Sequence, residues 1–266
     1  NLAMVMNPEA FGIPDRDGAP AEMLAMRYSF VSVGIWWILF SQYTFYYLPK
    51  GNKREGARET IVFNGFRELR SVWGQLGDNR VLKRYLLAFF VYSMAVQTVM
   101  LIAAFFGEEE IAWGSDSQRT TGLIVSILVI QLVAIVGATL TARASRIFGN
   151  ISTLVGINLL WVGICVYAYY VVSPMEFYLV AGIVGLVMGG IQALSRSTYS
   201  KFIPQTRDTT SFFSFYDVAE KIGIVIGTFL YGMVAQFTGS MRNATIFLGI
   251  FFLAGIFLLL RVHRKT

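Results

Sequence analysis

Long apolar stretches recur along the chain at about residues 27–48, 83–106, 120–142, 150–172, 175–200, 212–237 and 241–261. Each supplies the roughly 20 apolar residues that a helix needs to cross a hydrocarbon layer of about 30 Å. None alternates over the short segments of about 10 residues that mark membrane strands. The pattern therefore predicts seven transmembrane helices. The connections are short except for 49–82. There Val62, Phe66, Leu69, Trp73 and Leu76 form one apolar stripe at helical spacing, with Arg58, Glu59, Arg67, Glu68 and Arg70 elsewhere around the helix. This predicts a basic amphipathic linker helix on the inner headgroup boundary, with partner binding as the alternative role. The chain divides accordingly into 1–48, an outer loop and one spanning helix; 49–82, a cytoplasmic linker; and 83–266, a group of six spanning helices.

Composition rules out a water-soluble reading. Hydrophobic residues make up 55% of the chain and charged residues only 14%, against about one-quarter charged in an average globular protein. The mean hydropathy is +0.58. The fold class is an all-α polytopic membrane protein. Its net charge of +6 then reports topology, not nucleic-acid binding. With the 49–82 connection placed on the cytoplasmic side, 17 of the 22 Lys and Arg fall on that side, among them Lys50, Lys53, Arg54, Arg58, Arg143, Arg146, Lys201, Arg207 and Arg264. Only Arg16, Arg27, Arg119 and Arg242 fall outside, together with the acidic run Glu108, Glu109 and Glu110. By the positive-inside rule the N-terminus is outside and the C-terminus is cytoplasmic. Cys165 and His263 are the sole members of their types, so no intrachain disulfide, His-based triad or two-His metal site is available. No catalytic residue, metal or cofactor is expected. Residues 1–6, followed by the Pro- and Gly-rich loop 7–20, read as the last turns of a helix that begins earlier.

Polar groups inside the spans are costly and call for explanation. Asp217, Glu220 and Lys221 stand at i, i+3 and i+4 on one helix face, where Lys221 can compensate Asp217. Beside them Gly223 and Gly227 allow close approach of a neighbouring helix. The fifth span carries Gly182, Gly185, Gly189 and Gly190, then Gln192, Ser195, Arg196, Ser197 and Thr198. Gln97, Gln131 and Asn158 are single amides, for which interhelical hydrogen bonding and solute contact both remain open. Arg196 is either a gate residue or a snorkelling side chain, and the Asp217/Glu220/Lys221 group is either functional or a structural ion-pair set. Met94, Met100 and Met188 are read as packing, and Cys165 as an inert buried thiol.

The run Gly189-Gly190-Ile191-Gln192-Ala193-Leu194-Ser195-Arg196-Ser197 resembles a signature of bacterial transporters related to the fungal vacuole effluxers, the autophagy-related permease branch of the major facilitator superfamily. Ser211 to Val218, Glu220 to Gly223, Val96 to Val99 and Gln131 to Ala134 also match, so the likeness runs from about residue 27 to the end. The resemblance implies a twelve-helix transporter of two halves, of which this chain would hold helix six and the six-helix C-terminal half. Its solute would bind between the halves near the midplane. The implied partners are a small-molecule substrate, with amino acids suggested by the fungal relatives, a coupling proton or other ion, membrane lipid, and the N-terminal half of the same protein. The implied location is the bacterial inner membrane. Two departures stand out. Ser93-Met94-Ala95 lacks the acidic residue that many relatives carry, and Arg146 stands in the loop before Gly149 where the superfamily usually has an acid.

Secondary active transport by alternating access is the leading function. A seven-helix receptor and a membrane-embedded enzyme are the alternatives. A retinal protein needs a Lys in the last span, and 241–261 has none; an enzyme would rest on Asp217 and Glu220 alone. Arg196 and Asp217 each lie about six residues from the loop that joins their spans, roughly 9 Å deep. Arg196 is therefore expected to pair with Asp217 or Glu220 when the cytoplasmic side is closed. The expected pathway residues are Gln97, Gln131, Gln192, Ser195, Arg196, Asp217, Glu220 and Lys221, with Gly189, Gly190, Gly223 and Gly227 packing the helices.

Overall fold

The computed structural model describes residues 1–15, 20–48, 61–77, 79–204 and 209–263. Arg16, Lys50, Lys53, Arg54, Arg58, Glu59, Arg207 and Arg264 lie outside the described residues, as do the side chains of Val62 and His263. The described chain is helical throughout: α1 (Leu2–Met6), a short 3-10 turn (Pro8–Phe11), α2 (Ala21–Tyr47), α3 (Ile61–Gln75), α4 (Arg80–Glu109), α5 (Asp116–Phe148), α6 (Asn150–Tyr170), α7 (Pro174–Phe202), α8 (Thr209–Thr238) and α9 (Met241–His263). Seven of these, α2 and α4 to α9, are long and apolar enough to cross a membrane. The chain is thus an all-α polytopic membrane protein. The helices overrun the apolar stretches by several residues at most ends, because a helix continues through polar capping residues that hydropathy does not count. Ser173 and Glu176 show how such an end is built. Glu176 N–H donates to the Ser173 hydroxyl, and the Glu176 carboxylate accepts from the Ser173 and Val172 amides, which satisfies donors that an isolated helix start leaves free.

Contacts separate the chain into two compact units, Asn1–Glu59 and Thr60–Thr266. In the first, Gly12 ends the 3-10 turn with a positive φ of 69°, a backbone conformation that suits glycine. Ile13 packs on Ala21 and Ala25, and the Asp15 carboxylate accepts the Ala21 amide at 2.6 Å. Beyond that corner α2 exposes Trp36, Trp37, Phe40 and Phe45, an apolar surface of the kind lipid or protein covers.

In the second unit α4 and α6 flank α9, α8 lies along α4, and α5 packs most extensively on α7. Leu82, Tyr85, Tyr92, Leu154, Trp161, Leu248 and Phe252 are fully buried, with Trp161 stacked on Phe252 at 5.3 Å between ring centroids. The α5–α7 seam consists of backbone against backbone. A Cβ at Gly185 would stand 2.6 Å from the Ile130 carbonyl oxygen, and one at Gly189 2.5 Å from that of Ala134. Gly137 meets the Leu186 backbone in the same manner, whereas Gly190 makes room for the Thr141 side chain. On α8, Gly227 does this against α4, with Met94 O 2.8 Å away, while Gly223 lies against the flexible Met94 side chain. Without a hydrophobic drive between helices in lipid, such small-residue seams hold them together by close contact.

Side chains tie the ends of this bundle. Where α4 finishes and α9 begins, Arg242 donates to the Glu110 carboxylate at 2.6 Å, to Glu110 O at 2.8 Å and to Tyr169 O at 2.8 Å. One guanidinium therefore joins the ends of three helices, and both partners of its ion pair are mostly buried. At the opposite end Asn79 caps α4 by accepting from Leu82 N and donates to Phe202 O at 3.1 Å. Asn150 donates to Thr198 Oγ1 at 2.9 Å and accepts from Lys201 at 3.2 Å. Asn150 opens α6 directly after Gly149, and Arg146, expected in a loop, lies instead in the last turn of α5.

The expected apolar stripe of α3 is packed along one edge and bare along the other. Val72 and Leu76 are buried against the six-helix core, whereas Phe66 and Trp73 remain exposed. Val72 was absent from the predicted stripe, because packing on α8 shifts the buried face around the helix.

Two substitutions test this packing in detergent unfolding. Gly185→Val should cost about 1–3 kcal/mol, since Ile130's backbone cannot give way as a flexible side chain would. Arg242→Ala should cost about 2–3 kcal/mol, because it strands the Glu110 carboxylate and removes two further charge-assisted hydrogen bonds.

Candidate functional site

A cavity of about 800 Å³ opens among α4, α7 and α8. α4 contributes Phe89, Tyr92, Ser93, Val96 and Gln97; α7 contributes Ile191, Gln192, Ala193, Ser195, Arg196, Ser197 and Ser200; α8 contributes Phe213, Tyr216 and Glu220. The lining thus combines aromatic faces, hydroxyls, two amides, a carboxylate and a guanidinium, the mixture of apolar body and few polar handles expected of a small-molecule site. Among the described residues no group of three or more His, Cys, Asp or Glu is arranged to hold a metal.

The charges pair across helices. Arg196 of α7 forms an ion pair with Asp217 of α8, and both side chains are about half exposed. Its guanidinium lies 5.6 Å from the Tyr216 ring centroid and 6.0 Å from that of Phe213, within range for cation–π attraction. Glu220, one turn further along α8, accepts from the Gln97 amide of α4 at 2.6 Å. Asp217 therefore takes its cation from another helix. Lys221, expected to compensate it at i+4, is exposed and belongs to none of the ion pairs among the described residues. The half exposure of the Arg196 pair also corrects its expected burial. A pair open to water contributes about 0–1 kcal/mol to stability, so it can separate and re-form at modest cost.

Behind the ion pair stands a rigid polar wall. The Tyr92 hydroxyl and Ser195 Oγ share a hydrogen bond of 2.6 Å, and the Tyr85 hydroxyl donates to Ser195 O at 2.7 Å. Tyr199 donates to Phe212 O at 2.8 Å, and the Tyr216 ring stacks on Phe89 with centroids 4.0 Å apart. Ser195 is 1% exposed, and its hydrogen bonds join α7 to α4 at the cavity lining. The sequence pattern missed these tyrosines because an intramembrane Tyr reads as one more apolar residue. The available signal was the recurrence of Tyr85 and Tyr92 seven residues apart on one face, since a buried phenol usually finds a partner.

The remaining amides separate. Gln192 lines the cavity and donates to the Met100 sulfur at 3.3 Å. Gln131 lies on the exposed surface of α5, outside the cavity lining. Asn158 is fully buried in the α6 core, where its amide donates to Leu154 O of its own helix. Cys165 is buried.

Ser195→Ala should remove the Tyr92 hydroxyl's 2.6 Å partner and cost about 0.5–1.5 kcal/mol. Tyr92→Phe combined with Ser195→Ala should cost less than the two single losses added together. Strict additivity in this double-mutant cycle of unfolding would disprove the wall's coupling.

Comparison with known proteins places this geometry in a family. The "Vacuole effluxer Atg22 like" family model matches residues 2–266. The chain is 30% identical over 273 residues to the uncharacterized MFS-type transporter YxiO of Bacillus subtilis strain 168, covering 100% of this chain and 59% of that protein. It is 26% identical over 249 residues to autophagy-related protein 22 of Eremothecium gossypii, covering 87% and 48% respectively. With the Yarrowia lipolytica protein of the same name it shares 23% over 266 residues, covering 90% and 45%. The chain thus spans about half the length of these relatives. A family match over nearly every residue, joined to a seven-helix membrane fold, means that the chain belongs to the vacuole effluxer Atg22-like family.

Proposed function

We propose that the chain is the C-terminal portion of a secondary active transporter that moves a small solute by alternating access. In this reading 1–48 ends a preceding N-terminal half, 49–82 is the cytoplasmic linker and 83–266 is a transport half. The cavity of α4, α7 and α8 is one wall of a solute pathway completed by the other half. The C-terminus is cytoplasmic, following the distribution of Lys and Arg, and the protein resides in the bacterial inner membrane. The relatives' names as transporter and effluxer support the class of function.

The observation that carries the proposal is the juxtaposition of Arg196–Asp217 and Gln97–Glu220 in one cavity. A guanidinium and a carboxylate within one polar-walled space suit a solute with both anionic and cationic groups, so amino acids are the first solutes to test. The half-exposed Arg196–Asp217 pair acts as a cytoplasmic gate that separates when that side opens. Glu220 stays with Gln97 until a solute or coupling ion competes for it.

The test is a substrate-panel uptake and efflux assay of the full-length protein in proteoliposomes, with and without a pH gradient. Arg196→Ala should slow transport by roughly tenfold or more, equivalent to at least about 1.4 kcal/mol in the limiting barrier. Arg196→Asp combined with Asp217→Arg should recover part of the loss. If single neutralisations leave transport intact and the swap recovers nothing, the pair is no gate and Arg196 merely snorkels.

A further inference from the structure

Around α3 an apolar strip is packed in one half and bare in the other. Val72 and Leu76 are 2% and 3% exposed and belong to the core of the six-helix unit, whereas Phe66 and Trp73 are 70% and 66% exposed. At about 100° per residue, Phe66 and Trp73 stand within about 20° of each other, with Arg70 and then Arg67 next around the helix. The order is packed apolar, bare apolar, basic. That sequence of faces suits a helix whose bare strip enters a headgroup layer while its guanidinium groups meet phosphates.

Charge selects the occupant. From residue 60 to 84 the chain carries five Lys and Arg against two Asp and Glu. Arg67, Arg70, Arg80 and Lys83 are exposed. Near an acidic leaflet each such side chain strengthens attachment about fivefold. α3 packs on α8, and at the edge of the bare strip the Trp73 ring lies 6.0 Å from that of Phe215, which packs on the same core as Val72 and Leu76. Phe215 is two residues before Asp217, and its neighbour Phe213 lines the cavity.

Building on the transport reading above, we propose that the bare face of α3 is a binding surface for anionic phospholipid headgroups. Seating it there braces the start of α8 through Val72, Leu76 and the Trp73–Phe215 contact. Acidic lipid content thereby sets how readily Arg196 and Asp217 separate.

The experiment places the full-length protein in vesicles of phosphatidylcholine alone or of equal phosphatidylcholine and phosphatidylglycerol. A variant retaining Trp73 as its single tryptophan is read with brominated lipid and aqueous iodide. Separately, alkylation of Ser93→Cys by a membrane-impermeant maleimide reports opening of the cavity, because Ser93 lines it while only 4% exposed and Cys165 is buried. Phosphatidylglycerol should raise quenching of Trp73 by shallow bromines, and should slow alkylation by up to about fivefold per engaged arginine. Arg67→Gln with Arg70→Gln should remove both effects. Equal alkylation in the two lipids, or a lipid effect that survives the double substitution, overturns the brace. Trp73 shielded from both quenchers means that protein covers the face, and it overturns the lipid assignment. If the substrate panel shows no transport while quenching and alkylation still respond to phosphatidylglycerol, the transporter reading falls and the lipid brace stands.

Discussion

The backbone seam between α5 and α7 governs the rest of the six-helix unit. Gly185 and Gly189 leave no room for a Cβ against the carbonyls of Ile130 and Ala134, so α7 sits on α5 at a separation that other residues cannot reach. Close packing of this kind substitutes in lipid for the hydrophobic drive that water supplies to soluble bundles. Once α7 is held, its following turns present Gln192, Ser195, Arg196 and Ser200 to one space. The cavity is thus a consequence of where glycine was placed one and two turns earlier. Gly227 performs the corresponding task for α8 against α4, two turns beyond Glu220 and nearly three beyond Asp217.

Around that space, two grades of polar contact coexist. The tyrosine–serine contacts are buried, and each group in them would be costly to leave unpaired. Arg196 and Asp217 are half exposed, and water can take over from either partner when they part. The cavity therefore has a stiff floor and a soft rim, an arrangement suited to a site that must keep its shape while one edge moves.

The spans and the charged cluster were legible in the sequence because both rest on strong local rules. Twenty apolar residues in succession leave few alternatives, and Arg196, Asp217 and Glu220 mark themselves by the expense of placing charge among them. Facing direction was far less legible. Gln97 and Gln131 look alike as isolated amides, yet one meets Glu220 and the other lies outside the cavity, because the choice depends on which helix is the neighbour. Lys221 failed as a partner for Asp217 for a related reason: spacing along one helix permits a contact, but a guanidinium from α7 already occupies the carboxylate. On α3 the stripe includes Phe66, Trp73 and Leu76, and packing on α8 extends its buried edge to Val72, which the spacing did not mark. The hydroxyls of Tyr85 and Tyr92 were concealed by the apolar rings that carry them.

Arg242 gives the unit a mechanical polarity. Three helix ends converge on its guanidinium, which is mostly buried and bonded to two carbonyls and a carboxylate. The far end of the bundle is fastened by amide contacts of Asn79 and Asn150, by buried tyrosine hydrogen bonds such as Tyr199 to Phe212 O, and, at the cavity rim, by an ion pair that water can dissolve. The two ion pairs therefore differ in what their loss leaves behind: parting Arg196 from Asp217 hands both charges to water, whereas parting Arg242 from Glu110 strands charges that are mostly buried. An opening that begins at the rim has the lower threshold.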